Sequence, residues 1–260
     1  MNSFNLIKSP WRHPWESSLY GSIKQGFPNT DYNSKGHDII WGVHRNGIAA
    51  MKKKNYSFVD MPYYHRIKDN NIQKSYWRWS FNSVHDTRKL TVSCDRFESW
   101  NVDINPWKKD GDFILVCPSS QNVTKYLCNT SQKEWIDRTC NEIKKYTNRK
   151  IKIRHKPRKS MYVQGPEAET VSMKDELKNC YALVTLVSIT AIDSLLEGVP
   201  VFSNSTQCPS AWCTNLDISN INNIAYNNRE ELFFNLAYKQ FSIPEYQSGY
   251  AYKIIKEKLL

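Results

Sequence analysis

Between residues 112 and 204 apolar runs alternate with amphipathic stretches, and no other feature of the chain restricts its fold as strongly. "DFILVCPSS" (112–120), "KIKIRHKP" (150–157), "YALVTLVS" (181–188) and "VPVFSN" (199–204) read as strands. The first and third are continuous apolar runs, as expected of strands buried on both faces. "SQKEWIDRTCNEIKKYT" (131–147) carries Trp135, Ile136, Cys140 and Ile143 at helical spacing, and Ser131 with Glu134 makes a capping-box signature. "SMKDELKNC" (172–180) and "TAIDSLLEG" (190–198) read as two more helices. Short connections between alternating strands and helices require a parallel sheet covered by helices, which is one Rossmann-like α/β half.

The first half is also α/β but less regular. "FNLIKSP" (4–10), "HDIIWGVHR" (37–45) and "YSFVDM" (56–61) read as strands, with helices over 15–27 and 46–55. "YWRWSFNSV" (76–84) and "KLTVSC" (89–94) fit either strand or extended loop. The Pro, Gly and charges of "NVDINPWKKDGD" (101–112) suit a linker. The expected organisation is therefore an N-terminal α/β domain over 1–105 and a second Rossmann-like domain over 106–260, with the tail from 229 helical. Two such halves facing each other leave a cleft, and ligands of these folds bind at the carboxyl ends of parallel strands.

No apolar run in the 260 residues approaches the length of a bilayer helix, and "MNSFNLIKSPWRHPW" is not a signal peptide, so a cytoplasmic protein without membrane insertion is expected. Seven cysteines, with no C-x-x-C pair and several in apolar runs, read as buried thiols. The formal charge of +11 favours an anionic partner: nucleic acid, nucleotide or acidic glycan.

In "TLVSITAIDSLLEGVPVFSN" (185–204) a buried strand stops on Ser188, turns at once into a short helix and returns as a strand. Free N–H groups and the positive helix end at such a turn suit a phosphate, with Ser188 and Thr190 as hydroxyl donors. Asp193, one turn on, can reach ribose hydroxyls. Thr190 could equally cap its helix and Gly198–Pro200 simply turn the chain.

The pattern strand–Ser-x-Thr-x-x-Asp-x-x-x-x-Gly-Val-Pro-Val resembles the donor-binding half of GT-B glycosyltransferases, over roughly residues 110–250. "LVCPSS" and "IRHKP" fit the same resemblance, and "LAYKQFSIPEYQSGYAY" is similar to the tail of bacteriophage-encoded glycosyltransferase-like proteins. Asp193 stands where many relatives carry Glu, and the frequent Gly-Gly pair before the helix is absent. The resemblance implies a nucleotide-sugar donor, with Ser119, Ser120, Ser188, Ile189 (through its N–H) and Thr190 near the diphosphate. It also implies Arg154 and Lys156 as counter-charges and Asp193 at the ribose, while Glu197 reads as a solvated helix-end residue.

Glycosyl transfer needs a base for the acceptor hydroxyl, and strand ends of the first half offer four: His13, His44, Asp60 and His85. Asp60 ends the clearest strand and is the first choice. Arg78, between two tryptophans, could clamp a phosphate; with Trp77 and Arg12 it makes up the acceptor-side set. "DGD" (110–112) lies at the amino end of a strand and reads as a turn, so no metal is expected, and no cofactor beyond the donor co-substrate. The acceptor read first is hydroxymethylated bases of phage DNA. The alternatives are transfer to capsule or lipopolysaccharide, and a non-catalytic nucleic-acid-binding protein on the same scaffold.

Overall fold

The computed structural model describes residues 3–10, 13–32, 35–53, 55–64, 71–156 and 171–259. The chain begins with β1 (Phe4–Ile7), α1 (Pro14–Gly26), β2 (Thr30–Asp31), β3 (His37–Trp41), α2 (Arg45–Lys52), β4 (Tyr56–Asp60), β5 (Tyr76–Phe81) and α3 (Asp95–Glu98). It continues with β6 (Phe113–Cys117), α4 (Gln121–Cys128), α5 (Gln132–Lys144), β7 (Lys150–Ile153), α6 (Met173–Glu176), β8 (Cys180–Thr185), α7 (Thr190–Leu196), β9 (Val201–Phe202) and β10 (Thr214–Asn215). The last elements are α8 (Glu230–Ala237), β11 (Gln240–Ser242), α9 (Ile243–Gln247) and α10 (Tyr250–Ile254).

The chain divides into two compact units, Met1–Ser99 with Phe233–Leu260, and Trp100–Leu232. The tail departs from the expected division, which grouped it with the second half. It returns to the first unit because β11 pairs antiparallel with β5, Phe241 opposite Trp77. Tyr246 of α9, fully buried, donates its hydroxyl proton to the Trp77 carbonyl at 3.2 Å.

The sheet of the first unit runs β11-β5-β4-β3-β1-β2. Strands β2, β1, β3 and β4 are parallel, β5 runs antiparallel to β4, and β11 runs antiparallel to β5. The result is a mixed sheet, not the purely parallel one of a Rossmann-like half. Its core is aromatic: Phe4, Tyr20, Trp77, Trp79, Phe241 and Tyr246 are all fully buried. Each such side chain stabilises the fold by roughly 1.5–3 kcal/mol through removal from water.

The sheet of the second unit runs β10-β9-β8-β6-β7, parallel throughout. Every residue of β6 and β8 is buried, as their continuous apolar runs require. Helix α5 carries the capping box read from the sequence, with the Ser131 N–H donating to Glu134 at 2.9 Å and the Glu134 N–H to Ser131 at 3.1 Å. Among the described residues no helix is long and apolar enough to cross a membrane.

His37 of β3 is almost wholly buried, its ring between Asn55 Oδ1 at 3.0 Å and Ser57 Oγ at 2.8 Å. Burial holds its pKa below the ordinary 6.5, and burial does the same to His44. The unfolded chain then binds protons first as pH falls, so stability is lost below about pH 6.5. We expect the melting temperature to fall from pH 6.5 to 5, and His37→Gln to flatten that slope; an unchanged slope would count against it.

Candidate functional site

In the second unit the chain leaves β6 through Pro118, Ser119 and Ser120 and leaves β8 through Leu186, Val187 and Ser188. Ser119 is buried and joins the two exits: its Oγ accepts the Val187 N–H at 3.0 Å. Thr185 joins them again, donating its hydroxyl proton to the Cys117 carbonyl at 2.6 Å and accepting the Ser188 N–H at 3.2 Å. Ser188 Oγ in turn accepts from the Thr190 N–H at 3.3 Å and from the Thr190 hydroxyl at 3.0 Å. Ser120 is exposed and caps α4, accepting the Val123 N–H at 3.4 Å.

Cys117, the last residue of β6, shows what meets at this corner. Burial pushes its thiol up to about 12, Thr190 and the charge of Arg154 oppose that shift, and Asp193 adds to it. Thr190, Asp193 and Arg154 therefore all stand within electrostatic reach of one buried thiol. Of the residues expected at the donor, Ser119, Ser188 and Thr190 of the diphosphate set, Asp193 of the ribose and the counter-charge Arg154 are brought together. Ile189 opens α7 in a right-handed helical conformation.

Arg154 is not an open counter-charge. Its guanidinium donates to Glu176 at 3.2 Å and to the Val171 carbonyl at 2.8 Å, and Glu176 also pairs with Lys152 at 3.2 Å. Lys156 is exposed. Glu197 is no solvated helix end: its carboxylate accepts from Asn105 Nδ2 at 3.0 Å and faces Lys174 at 3.6 Å. A pocket of about 490 Å³ lies among Thr185, Ser203, Asn204, Trp135 and Arg138, sharing Thr185 with the serine corner. Its volume is in the range of small-molecule sites.

The stretch 100–112, read as a linker, is a strap on the second unit. The Asn105 N–H donates to the Leu196 carbonyl and the Lys108 N–H to the Gly198 carbonyl, each at 2.8 Å. Arg229 donates to the carbonyls of Asn105 and Leu195 and lies 3.9 Å over the Trp107 ring. Gly111 of "DGD" packs on the Tyr181 backbone, where a Cβ would fall 2.3 Å from the Tyr181 nitrogen. Among the described residues no three His, Cys, Asp or Glu side chains group as a metal site.

In the first unit, β1, β3 and β4 present their carboxyl ends side by side. His13 caps α1, its Nδ1 accepting the Trp15 N–H at 3.2 Å, and His44 caps α2, its Nδ1 accepting the Gly47 N–H at 3.1 Å. An accepting Nδ1 puts the proton of the neutral ring on Nε2, so both rings present a donor rather than a base. His44 and His85 are also nearly wholly buried, His85 with Nδ1 3.4 Å from the Tyr63 hydroxyl. Asp60 differs: its carboxylate accepts from the Met61 N–H at 2.8 Å and from Arg78 Nη2 at 3.1 Å, and its side chain keeps 29% of its exposure.

Arg78 is buried, its other donors going to the carbonyls of Met61 at 2.5 Å and Val84 at 3.3 Å, so it serves Asp60 and the backbone instead of a ligand. Trp77 is fully buried. Arg12 lies outside the described residues. Glu16 escaped sequence reasoning: it is buried at the same edge, accepting from the Ser9 N–H at 2.6 Å and from the Ser9 hydroxyl. A glutamate in the first turn of a helix reads as a dipole partner, and only the fold shows that it ties down the β1 exit.

No sequence-family model and no curated protein matches the chain. Among the solved structures similar in fold are two from Thermosulfurimonas dismutans KpsC. The KpsC beta Kdo 2,4 transferase superposes with a TM-score of 0.54 at 10% identity, over 93% of this chain and 92% of that one. The KpsC beta Kdo 2,7 transferase superposes with a TM-score of 0.50 at 11% identity, over 97% and 99%. The chain thus shares the α/β fold of these two transferases, with one mixed and one parallel sheet.

Proposed function

We propose that the chain is a glycosyltransferase taking its sugar from a nucleotide-sugar donor held on the second unit. The observation that carries this reading is the corner at which Ser119, Ser188, Thr190, Asp193 and Arg154 gather around Cys117. Hydroxyls and backbone at the ends of two adjacent parallel strands suit a phosphate, Asp193 suits a ribose, and the fold is that of sugar transferases. Lys156, exposed three residues beyond the end of β7, supplies positive charge to the leaving group in this reading, which invokes neither a metal nor a further cofactor.

Asp60 is the base in this reading, since among the four candidates it alone is an accepting group with solvent access. It takes the proton of the acceptor hydroxyl as the new bond from that oxygen to the anomeric carbon forms. The bond from the anomeric carbon to the donor phosphate breaks, and the nucleotide leaves with the electron pair. The acceptor is a glycan, in keeping with the Kdo transferases that share the fold. The +11 charge supports a second reading, transfer to hydroxymethylated bases of phage DNA, under which log affinity for DNA falls steeply with log salt.

Two measurements test the reading. Nucleoside mono- and diphosphates and their sugars are screened by thermal stabilisation, where a ligand at a hundredfold excess over Kd adds about 2.7 kcal/mol. Thr190→Val and Asp193→Ala are expected to weaken the responding nucleotide by about tenfold each, the loss of one hydrogen bond to a charged group. No shift with any nucleotide would overturn the donor site. Asp60→Asn is then expected to lower kcat by roughly a hundredfold with donor affinity intact; full activity would remove Asp60 from the chemistry.

A further inference from the structure

Strand β7 is the last strand of the second sheet and, among the described residues, pairs with β6 alone. The Arg154 N–H donates to the Val116 carbonyl at 2.9 Å, and Val116 lies opposite Ile153. In a parallel pair the N–H and C=O of one residue point the same way, and successive residues point to opposite sides. Lys150, Lys152 and Arg154 therefore turn their backbone groups to β6, while Ile151 and Ile153 turn theirs outward. No described strand takes them up.

The side chains beside this edge form a groove. Ile151 and Ile153 share one face of the strand, and with Ile136 and Cys140 of α5 they line a space of about 870 Å³; Ile153 is 41% exposed. Lysines on an edge strand commonly guard it against pairing. Lys152 does not, because on the other face it lies 3.7 Å over the Phe113 ring and pairs with Glu176 at 3.2 Å. Lys144, Arg149 and Lys150 line the groove where β7 begins. Lys144 and Lys150 are exposed and enter no ion pair among the described residues, whereas the carboxylate of Asp137, also in the groove, is held by Lys133 at 2.7 Å.

We propose that β7 is a docking edge for an extended segment of a partner protein, apolar at alternate positions and acidic between them. The segment adds a strand outside β7, exchanging backbone hydrogen bonds with Ile151 and Ile153. Its apolar side chains cover Ile136, Cys140, Ile151 and Ile153, and its carboxylates meet Lys144 and Lys150. A peptide brings the row of alternating donors and acceptors that an open strand edge needs; a glycan or a nucleic acid does not. A second copy of this chain would set the same lysines against each other, so the charge selects an acidic partner. The inference uses no residue of the donor corner and stands apart from the transferase reading.

The test uses the full chain and two fluorescein-labelled octapeptides, one alternating valine with glutamate and one alternating valine with lysine, read by fluorescence anisotropy. The glutamate peptide is expected to bind about tenfold tighter than the lysine peptide, and reversal of both lysines together (Lys144→Glu with Lys150→Glu) to invert that order. Hydrogen exchange followed by NMR then shows the Ile151 and Ile153 amides slowed by the bound peptide and the Lys152 amide unchanged. Ile153→Pro, which removes an outward N–H and leaves the ladder to β6 in place, abolishes binding, while Ile153→Val keeps it. Where Ile153→Pro fails to fold, the exchange pattern of the wild type decides. No binding of either peptide up to about 1 mM, or binding that leaves the Ile151 and Ile153 amides unprotected, overturns the inference. So does protection of both amides in the free chain: with dimers in sedimentation the occupant is a second copy, and with monomers it is a segment of this chain. Retention of a single-stranded DNA through Lys144 and Lys150, with neither peptide bound, overturns it in favour of nucleic acid.

Discussion

Gly198→Ala is expected to destabilise the second unit by about 4 kcal/mol, at the upper end of single substitutions. Gly198 has φ +77°, in the left-handed region that a Cβ disfavours, and a Cβ there would lie 2.0 Å from the Pro106 carbonyl oxygen. Neither partner can yield easily. The strap is fixed by the Lys108 N–H on the Gly198 carbonyl and by Arg229 on the carbonyls of Leu195 and Asn105. Urea unfolding followed by circular dichroism reads the effect directly. A loss below 1 kcal/mol would show that the strap can move away. The conservative Asn, which tolerates positive φ but also carries a Cβ, separates the two causes: a loss equal to that of Ala assigns the effect to the contact and not to the backbone.

Gly198 also shows which part of the site can be read without coordinates. "Gly-Val-Pro-Val" is legible as a turn closing a strand–helix–strand unit, and β8, α7 and β9 are where the apolar periodicity puts them. What forces the glycine is Pro106, far earlier in the chain, in the 100–112 strap, whose Pro, Gly and charges suit a linker equally well. Composition reports that a segment lacks regular structure; it does not report what the segment lies against. Glu197 and Arg154 are opaque for the same reason: in the sequence a helix-end carboxylate looks solvated and a strand-end guanidinium looks open, although the first is held by Asn105 and the second already pairs with Glu176.

The first unit was less legible, and the reasons are local. Its aromatic core is spread over α1, β1, β5, β11 and α9, so no single window carries a clean period. β11 is a three-residue strand that follows α8 within "LAYKQFS", too short for alternation to register, and its pairing with β5 brings the tail back to the first sheet. The candidate bases were found as residue types at strand ends, but capping by His13 and His44 is a property of the following helix N-terminus and fixes their proton on the wrong nitrogen for a base. Asp60 survives because its partner, Arg78, sits directly opposite it on β5.

Asp86→Ala is expected to cost the first unit about 3–5 kcal/mol at pH 7, because it removes the counter-charge of a buried amine. Lys239 is 1% exposed, its ammonium donating to the Asp86 carbonyl at 3.0 Å and to the Arg88 carbonyl, with the Asp86 carboxylate 3.6 Å away. That carboxylate also takes Arg88 Nε at 3.0 Å and Nη2 at 2.5 Å, so one buried anion serves two cations. Burial lowers the Lys239 pKa from 10.5 to about 8, Asp86 pulls it up and Arg88 pushes it down. Between those two values the unfolded chain holds a proton that the folded chain has released, so stability rises with pH from about 8 to 10.5. Lys239→Met should abolish that rise relative to wild type. In Asp86→Ala the amine has lost its partner and is neutral at still lower pH, so part of the loss at pH 7 is regained by pH 9. Urea unfolding of the three proteins at pH 7, 8, 9 and 10 measures both slopes. Equal slopes in wild type and Lys239→Met, or a loss below 1 kcal/mol in Asp86→Ala at pH 7, would mean that water reaches the amine and that the pair is not buried in solution.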